Sequence, residues 1–414
     1  MSLNGPSTNV ELSIKMRLLI ATGFWPSKEN PISGIFVAQQ VAALVRLGYQ
    51  VTILSGNTIG RPASPHLTPS ELGLPEERVA MVSYPLLRLP EQLSGLPGGI
   101  TLNTATTGIS MCRLIRKLVR SHGPFDAAII HALRYAGFAL PTWRHLIQGK
   151  VLTVCHGVDP FLEQPGNIKR SIPLLQKMAI HCEKVVLVGQ PLRSHAQSLG
   201  LPLDCLEVVP NGTDLPDRAE VIEEQRPLDL PRRIVSVSNL VALKGIDLNL
   251  RALARISLLN PELQWEYVIV GEGPLRNELE ALSSALGLAD RVRFLGRLPY
   301  VTTMQEVAAA DIFSLPSWGE AFGIVYLEAM ARMRPVIGCL DNGAADIIND
   351  GVDGLLIPPQ DEVALAQALE SLLSDPERCR RMGLAGRQTA EGFSWQENAQ
   401  RMLRLLGLKV NNRE

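Results

Sequence analysis

The stretch SLPSWGEAFGIVYLEAMA, residues Ser314–Ala331, predicts a strand, a loop and a helix in immediate succession. The apolar run DIFSL at its start is typical of a buried strand, and an apolar helix begins near Phe322–Gly323. Glu320 therefore lies in the loop, and Glu328 lies in the second helical turn among apolar neighbours. A glycine at a helix start lets a ligand approach the backbone, and the free N–H groups there bind phosphate. The stretch therefore predicts a ligand site at a strand end.

Strand and helix patterns alternate outward from this stretch in both directions. The strands are apolar throughout, which is typical of parallel sheets covered by helices on both faces. Two such series predict an α/β protein with two Rossmann-like, doubly wound domains that face a central cleft. The predicted strands are Arg17–Thr22, Val51–Leu54, Ala127–His131, Val151–Cys155, Val185–Val188 and Leu206–Val209, then Arg233–Val237, Trp265–Val270, Val292–Leu295, Ile312–Leu315 and Pro335–Gly338.

The two series meet in Pro210–Pro231, a segment rich in proline and charge that is typical of a linker. We therefore expect one domain over residues 16–212 and a second over residues 213–393. Residues 1–15 are expected to form a flexible lead. The Pro- and Gly-rich segment Gly56–Gly99 is interpreted as a long loop that carries an acceptor-facing surface.

The composition narrows the class of protein. The chain has 414 residues, of which 46% are apolar and 20% charged, so it can bury two cores. The polar first ten residues lack the apolar region of an export signal, and the six cysteines are scattered without a C-x-x-C pair. We therefore expect a cytoplasmic protein without a structural zinc site, and no nucleic-acid partner.

The charge is divided unevenly between the two halves. Residues 16–212 carry 18 Lys and Arg against 11 Asp and Glu, a net charge of +7. Residues 213–414 carry 21 against 29, a net charge of −8. This asymmetry indicates that the first half meets an anionic partner or surface.

The order and spacing of several motifs together resemble a known family. The chain is similar to the retaining glycosyltransferases of group one, which have the GT-B fold and an E-x₇-E element, here Glu320 to Glu328. The resemblance covers nearly the whole chain. Its other motifs are PISGIFVAQQVAALVRLGYQVTIL (31–54), TVCHGVD (153–159), VVPNGTD (208–214), SVSNLVALKGID (236–247), VIVGEGPLRNEL (268–279), VRFLGRL (292–298) and DGVDGLLIPPQD (350–361).

The resemblance implies a nucleotide-sugar donor bound mainly to the second domain. Glu320 would bond the hydroxyls of the donor sugar, with help from the backbone of Phe322 and Gly323. Ile324 and its neighbours would cover the phosphates. Glu328 would hold the ribose hydroxyls.

Four further residues receive roles from the same resemblance. Lys244 would neutralise the diphosphate, and Gly34 would begin a helix that approaches it from the first domain. His156 would face the donor sugar near its reacting carbon. Arg297 would contact the base, largely through its backbone. The last helix, within residues 394–414, would cross back to the first domain.

The chain departs from the family pattern at three places. Asn239 stands where the family commonly has an Arg that also binds donor phosphate. Arg332–Met333 replaces a usual Cys-Gly pair, and Asn342–Gly343 with Asp346 replaces a Gly-Gly…Glu element.

Ordinary structural roles compete with some of these assignments. A cation at a helix start opposes the helix dipole, so a nearby anion explains Lys244 better than a capping role does. A histidine after a buried strand is usually a satisfied core residue, but the strand end at His156 points into the predicted cleft. For His131, which also follows a strand, both interpretations stay open.

The second half contains no D-x-D element after a strand, so we expect a metal-independent enzyme without a cofactor. The resemblance implies retention at the anomeric carbon, and no carboxylate stands out as a covalent nucleophile. A same-face displacement, with the departing phosphate as base, is the expected mechanism. A nucleotide-sugar 2-epimerase and a non-catalytic sugar-binding protein remain alternatives. Incubation with donor alone would distinguish the epimerase, which converts the donor, from a transferase, which does not.

A basic stripe follows one face of a predicted amphipathic helix. Arg113, Arg116, Lys117 and Arg120 recur at helical spacing between apolar residues. A solvated outer face is the ordinary explanation of such a pattern. The positive charge of the first half favours a second explanation, which is peripheral contact with an anionic membrane. The acceptor would then be a glycan or a lipid-linked molecule.

Overall fold

The computed structural model describes residues 16–58, 65–86, 99–131, 133–157, 165–218 and 230–410. The predicted flexible lead, residues 1–15, lies outside these ranges. Within them, the chain builds two α/β halves, each centred on a parallel sheet, which confirms the predicted fold class. No helix in the described ranges has the length and apolar character needed to cross a bilayer.

In the described ranges the first sheet has seven strands in the order β3-β2-β1-β4-β5-β6-β7, all parallel. Its central strands are apolar and buried on both faces because helices cover both sides. The strands are β1 Arg17–Thr22, β2 Gln50–Thr58, β3 Val79–Leu86, β4 Ala127–His131, β5 Val151–Cys155, β6 Lys184–Leu187 and β7 Leu206–Val208. The helices of this half are α1 Ile35–Arg46, α2 Gly99–His122, α3 Leu140–Trp143, α4 Pro165–Ala179 and α5 Pro191–Ser198.

The second sheet, as far as the structure describes the chain, has six parallel strands in the order β10-β9-β8-β11-β12-β13. The strands are β8 Arg232–Val237, β9 Trp265–Val270, β10 Val292–Gly296, β11 Ile312–Ser314, β12 Val336–Cys339 and β13 Gly354–Ile357. The helices after β8 are α6 Ile246–Leu259, α7 Arg276–Ala285, α8 Tyr300–Ala308, α9 Ile324–Ala331, α10 Glu362–Leu373, α11 Pro376–Glu391 and α12 Trp395–Leu406.

The interpretation of Gly56–Gly99 as one long loop was wrong. This segment contains strand β3, which pairs in parallel with β2 from Val51↔Val79 onward and forms the edge of the first sheet. Its sequence VAMVSYPL is largely apolar, with one serine, Ser83. The surrounding prolines and glycines obscured this short pattern. Strand β13, within the motif of residues 350–361, was also not predicted.

Helix α12 returns the chain to the first half, where it packs against α1 and β5. Its start is capped by the Ser394 side chain, which accepts a hydrogen bond from the Glu397 amide at 3.1 Å. A backbone bridge joins Ser394 to Thr213, so the two connections between the halves run side by side. The predicted domain limits themselves stay a prediction.

Both sheets reverse their strand order at one point, between β1 and β4 in the first and between β8 and β11 in the second. Loops from the carboxyl ends of the strands beside such a point diverge and leave a crevice, where open α/β sheets bind ligands. The loop after β8 contains Lys244, and the loop after β11 contains Glu320. The topology therefore places Lys244 and Glu320, two of the predicted site residues, beside the switch point of the second sheet.

Candidate donor cleft

A cleft of about 340 Å³ lies between the two halves and is lined by residues of both. It brings together nine of the ten predicted site residues: His156, Asn239, Lys244, Arg297, Glu320, Phe322, Gly323, Ile324 and Glu328. The tenth, Gly34, lines an adjoining cavity of about 440 Å³. Phe36, His156 and Asn239 line both this cavity and the cleft.

Lys244 and Glu320 form an ion pair in the cleft, with the lysine Nζ 2.5 Å from Glu320 Oε1. Their side chains are only 18% and 12% exposed, so water screens this pair less than it screens a surface pair. The residues lie in the loops after β8 and β11, 76 positions apart in the chain. Glu320 is therefore not the exposed loop acid that an ordinary structural role would require.

Helix α9 begins at this ion pair. Gly323 precedes it with a φ of 91°, and no side chain caps the helix start. The first N–H groups of α9 are thus left for a ligand, and the helix dipole favours an anion there. A Cβ on Gly323 would lie 2.6 Å from the Tyr326 ring, so this backbone conformation needs glycine.

Glu328 is buried in α9, with 6% of its surface exposed. Burial raises its pKa to about 7, because a carboxylate loses its hydration there. Arg332 and the hydroxyl of Tyr300 favour the charged form but only partly offset the effect of burial on this pKa. Glu328 is therefore not part of a solvated helix face, because its carboxylate is buried at a cost in desolvation free energy.

Helix α1 approaches the cleft from the first half. Gly34 precedes it with a φ of 76°, and a Cβ there would lie 2.4 Å from the Phe24 carbonyl carbon. Only glycine fits this close approach. The helix then carries Ile35, Phe36 and Gln39 into the cleft wall.

His156 follows β5 and packs beside Phe36, with ring centroids 4.4 Å apart. Its Nε2 lies 2.8 Å from Nδ1 of His131, which is buried. Burial lowers the pKa of His156 to about 3, so the ring is neutral at physiological pH. His131 thus proves to be a partner of His156 behind the cleft wall.

Asn239 and Arg297 lie at the exposed rim of the cleft. Arg297 Nη1 lies 3.4 Å from the Glu29 backbone oxygen and so spans the two halves. Among the described residues, no group of three or more His, Cys, Asp or Glu is placed to hold a metal ion.

Sequence reasoning missed a second bridge across the cleft. Gln39 Nε2 donates to Asp214 Oδ2 at 2.7 Å and to the Tyr300 hydroxyl at 3.2 Å. It thereby links α1 to the linker and to α8, next to Glu328. The signal was the pair of glutamines Gln39 and Gln40 within an otherwise largely apolar helix, which indicates polar side chains with specific partners.

Two family models together match most of the chain. The model described as glycosyltransferase family 4 matches residues 33–216, and the one described as glycosyl transferases group 1 matches residues 217–389. Among curated relatives, a GDP-mannose-dependent monoacylated alpha-(1-6)-phosphatidylinositol monomannoside mannosyltransferase of Corynebacterium glutamicum is 30% identical over 327 residues. That match covers 75% of this chain and 82% of the relative.

Other relatives match over less of their length. A D-inositol 3-phosphate glycosyltransferase of Nocardia farcinica is 32% identical over 58% of this chain and 56% of its own length. A GDP-mannose-dependent mannosyltransferase of Mycolicibacterium smegmatis is matched over 64% of its length. The match thus spans little more than half of the first relative and less than two thirds of the second.

Solved structures share the fold at low sequence identity. Sucrose-phosphate synthase from Thermosynechococcus elongatus superposes with a TM-score of 0.72 at 20% identity, over 94% of this chain and 98% of that one. HepE from Anabaena, crystallised with UDP and glucose, gives 0.69 at 17% identity, over 95% and 99%. Both support the GT-B arrangement of two parallel-sheet halves.

Replacing Glu328 by Gln should stabilise the protein at high pH. Because burial raises the folded-state pKa of Glu328 from 4.5 to about 7, the free energy of unfolding falls as the pH rises between these two values and stays lowered above pH 7. Below the unfolded pKa the carboxyl is protonated in both states, so the gain vanishes. We expect Glu328→Gln to gain on the order of 1–3 kcal/mol near pH 8 and little near pH 5. Thermal unfolding at both pH values measures this, and an equal or lower Tm at pH 8 would contradict it.

Proposed function

Because the chain belongs to the family of group 1 glycosyltransferases, we propose that it transfers a hexosyl unit from a nucleoside-diphosphate sugar to an acceptor hydroxyl. The observation that carries this proposal is the Lys244–Glu320 pair beside the uncapped start of α9. A cation and free N–H groups suit a diphosphate, and a neighbouring carboxylate suits sugar hydroxyls. The three features meet in a cleft between two switch points.

We assign the donor contacts accordingly. Lys244 and the N–H groups at the start of α9 bind the diphosphate, and Glu320 accepts hydrogen bonds from the sugar. Glu328 accepts hydrogen bonds from the ribose hydroxyls, which favours its charged form and offsets part of the cost of its burial. His156 faces the sugar from the first half.

Transfer proceeds with retention in this proposal. The bond between the anomeric carbon and the phosphate oxygen breaks, and the acceptor oxygen forms its bond on the same face. The acceptor proton passes to the departing phosphate oxygen, so no covalent enzyme intermediate is required. Lys244 and the α9 dipole stabilise the charge that develops on the leaving group.

Donor identity is best tested with a thermal-shift panel of UDP, GDP, ADP and dTDP sugars, followed by transfer assays. The correct donor raises Tm by mass action because it binds the folded state. Turnover that needs an added acceptor supports the proposal. Conversion of the donor alone would indicate an epimerase, and binding without turnover would indicate a sugar-binding protein.

We also propose that the acceptor is a glycan or lipid-linked molecule of cell-envelope glycoconjugate synthesis, met at an anionic membrane. The mannosyltransferase relative acts, by its name, on a phosphatidylinositol mannoside. Here the basic stripe Arg113, Arg116, Lys117 and Arg120 is placed on α2, where all four residues are exposed. Nearby Leu102 and Ile109 are about half exposed on the same helix.

Glu320→Ala should separate donor binding from transfer. Loss of a charged hydrogen-bond partner should cost about 1.5–3 kcal/mol in the transition state, roughly 10- to 100-fold in kcat/KM. Lys244 then has no ion-pair partner, so nucleoside-diphosphate affinity should hold or rise. Calorimetry and turnover measure the two effects. The control Glu183→Ala breaks an exposed ion pair with Lys150 and should change neither. Wild-type turnover in folded Glu320→Ala would refute the assignment.

Chelation should leave transfer unchanged. Lys244 and the α9 dipole supply the positive charge that a divalent ion supplies in other transferases. Enzyme treated with EDTA and assayed in metal-free buffer should therefore keep its rate. A loss of activity that Mg²⁺ or Mn²⁺ restores would overturn this charge scheme.

Changing the four stripe residues to Glu should abolish docking on anionic vesicles. Each basic residue near such a surface contributes about 1 kcal/mol, so four give weak, salt-sensitive binding. Co-sedimentation at low and high salt measures it. A control with the exposed Arg251 and Arg255 of α6 changed to Glu should still bind. If wild type and stripe variant pellet equally poorly at low salt, the stripe is a solvated face.

A further inference from the structure

A continuous line of hydrogen bonds joins helix α12 to His156 through the interior of the first half. Three of its members, Gln40, His131 and Asn398, are buried and at most 5% exposed. The contacts are Asn398 Nδ2 to the Pro210 carbonyl oxygen (2.6 Å), Gln40 Nε2 to Asn398 Oδ1 (2.6 Å), His131 Nε2 to Gln40 Oε1 (2.9 Å) and His156 Nε2 to His131 Nδ1 (2.8 Å).

The Pro210 carbonyl sets the direction of every bond in this line. A carbonyl oxygen can only accept, so Asn398 must turn its NH₂ group toward Pro210 and its oxygen toward Gln40. That oxygen also only accepts, so Gln40 must present its own NH₂ group to Asn398. The oxygen of Gln40 is then left for His131.

The same reasoning fixes the protons on the two imidazole rings. His131 Nε2 faces an acceptor oxygen and must carry a proton, so Nδ1 of the neutral ring is an acceptor. His156 Nε2 faces that acceptor and must carry its own proton. The remaining nitrogen of His156, Nδ1, is therefore the hydrogen-bond acceptor of a neutral ring.

Burial keeps both rings in this neutral state. It lowers the pKa of His131 well below its ordinary value, and the adjacent His156 lowers it further. A charged His131 would donate from Nδ1 and force His156 into the opposite tautomer. The apolar neighbours Phe24 and Phe36 pack against the His156 ring from the cleft side.

We propose that Asn398, Gln40 and His131 are positioning residues that hold His156 in its Nε2–H tautomer. His156 then offers the substrates an acceptor nitrogen, which receives a hydrogen bond from a sugar hydroxyl. The opposite tautomer would offer an N–H group and leave that hydroxyl without an acceptor. The tautomer follows from the hydrogen-bond line alone, whereas its effect on turnover rests on the proposed transfer reaction.

The line also explains how the last helix influences the cleft. Asn398 belongs to α12, which follows the whole second half in the chain. In the hydrogen-bond line, however, only Gln40 and His131 lie between Asn398 and His156. Loss of its amide releases Gln40, and both tautomers of the histidine pair then become accessible. Residues far from the substrate thereby determine which atom the substrate meets.

Nitrogen NMR of protein labelled with ¹⁵N-histidine tests the proposal. The chain has 7 histidines, and the His156 signals are identified by their loss in His156→Gln. Wild type should show a protonated Nε2 and an unprotonated Nδ1. Gln40→Leu and Asn398→Leu should show mixed tautomers, with kcat reduced about 10- to 100-fold, as when a histidine loses its orienting partner, and little change in donor KM.

Met402→Ala is the matched control, because it removes a buried side chain of α12 without touching the line. It should keep the wild-type tautomer and most of kcat. A wild-type proton on Nδ1, an unchanged tautomer in both leucine variants, or the same effects in Met402→Ala would overturn the proposal. If no nucleoside-diphosphate sugar supports transfer, the proposed function fails, while the nitrogen signals still decide the tautomer.

Discussion

The described strands of each sheet run parallel, and this constraint places every candidate site residue. Parallel strands deliver all their carboxyl ends to one edge, so loops far apart in sequence meet there. Lys244 and Glu320 follow two neighbouring strands on either side of a switch point and form an ion pair across it. His131 is the last residue of β4 and His156 follows the neighbouring strand β5, so the two share a hydrogen bond for the same reason. The position of the cleft thus follows from the direction of the strands and does not depend on any particular side chain.

The cleft contains charged side chains at positions where burial raises the free energy of a charged group. Lys244 and Glu320 compensate each other in the absence of substrate, so a diphosphate that binds Lys244 must compete with Glu320. Arg332 and the Tyr300 hydroxyl only partly compensate the charge of Glu328, and burial raises its pKa to about 7. Such residues reduce stability in favour of ligand binding, a compromise that is common at functional sites. In the proposed donor scheme, Asn239 stands where the family commonly has an Arg, so Lys244 and the start of α9 would carry a larger share of the phosphate charge.

The two halves are joined by polar contacts that converge on the cleft. Gln39 reaches Asp214 and Tyr300, and Arg297 reaches the backbone of Glu29. These three bonds lie beside the candidate cleft, so in the proposed function a donor that binds between the halves can replace or reinforce them. The hydrogen-bond line from Asn398 to His156 lies behind this surface, where it keeps a neutral imidazole in one orientation while the cleft fills and empties.

Local sequence was sufficient for most strands, for the helix start at Gly323 and for the positions of Glu320, Lys244 and His156, because each depends on a short apolar run or a nearby glycine. Strand β3 escaped prediction because the prolines and glycines around its short apolar run are typical of a loop, and only its pairing with β2 defines it as a strand. The pKa of Glu328 and the His131–Gln40–Asn398 line could not be read from sequence at all. Both depend on contacts across large separations, 358 positions between Gln40 and Asn398, and only the packed fold brings such groups together and removes the water around them.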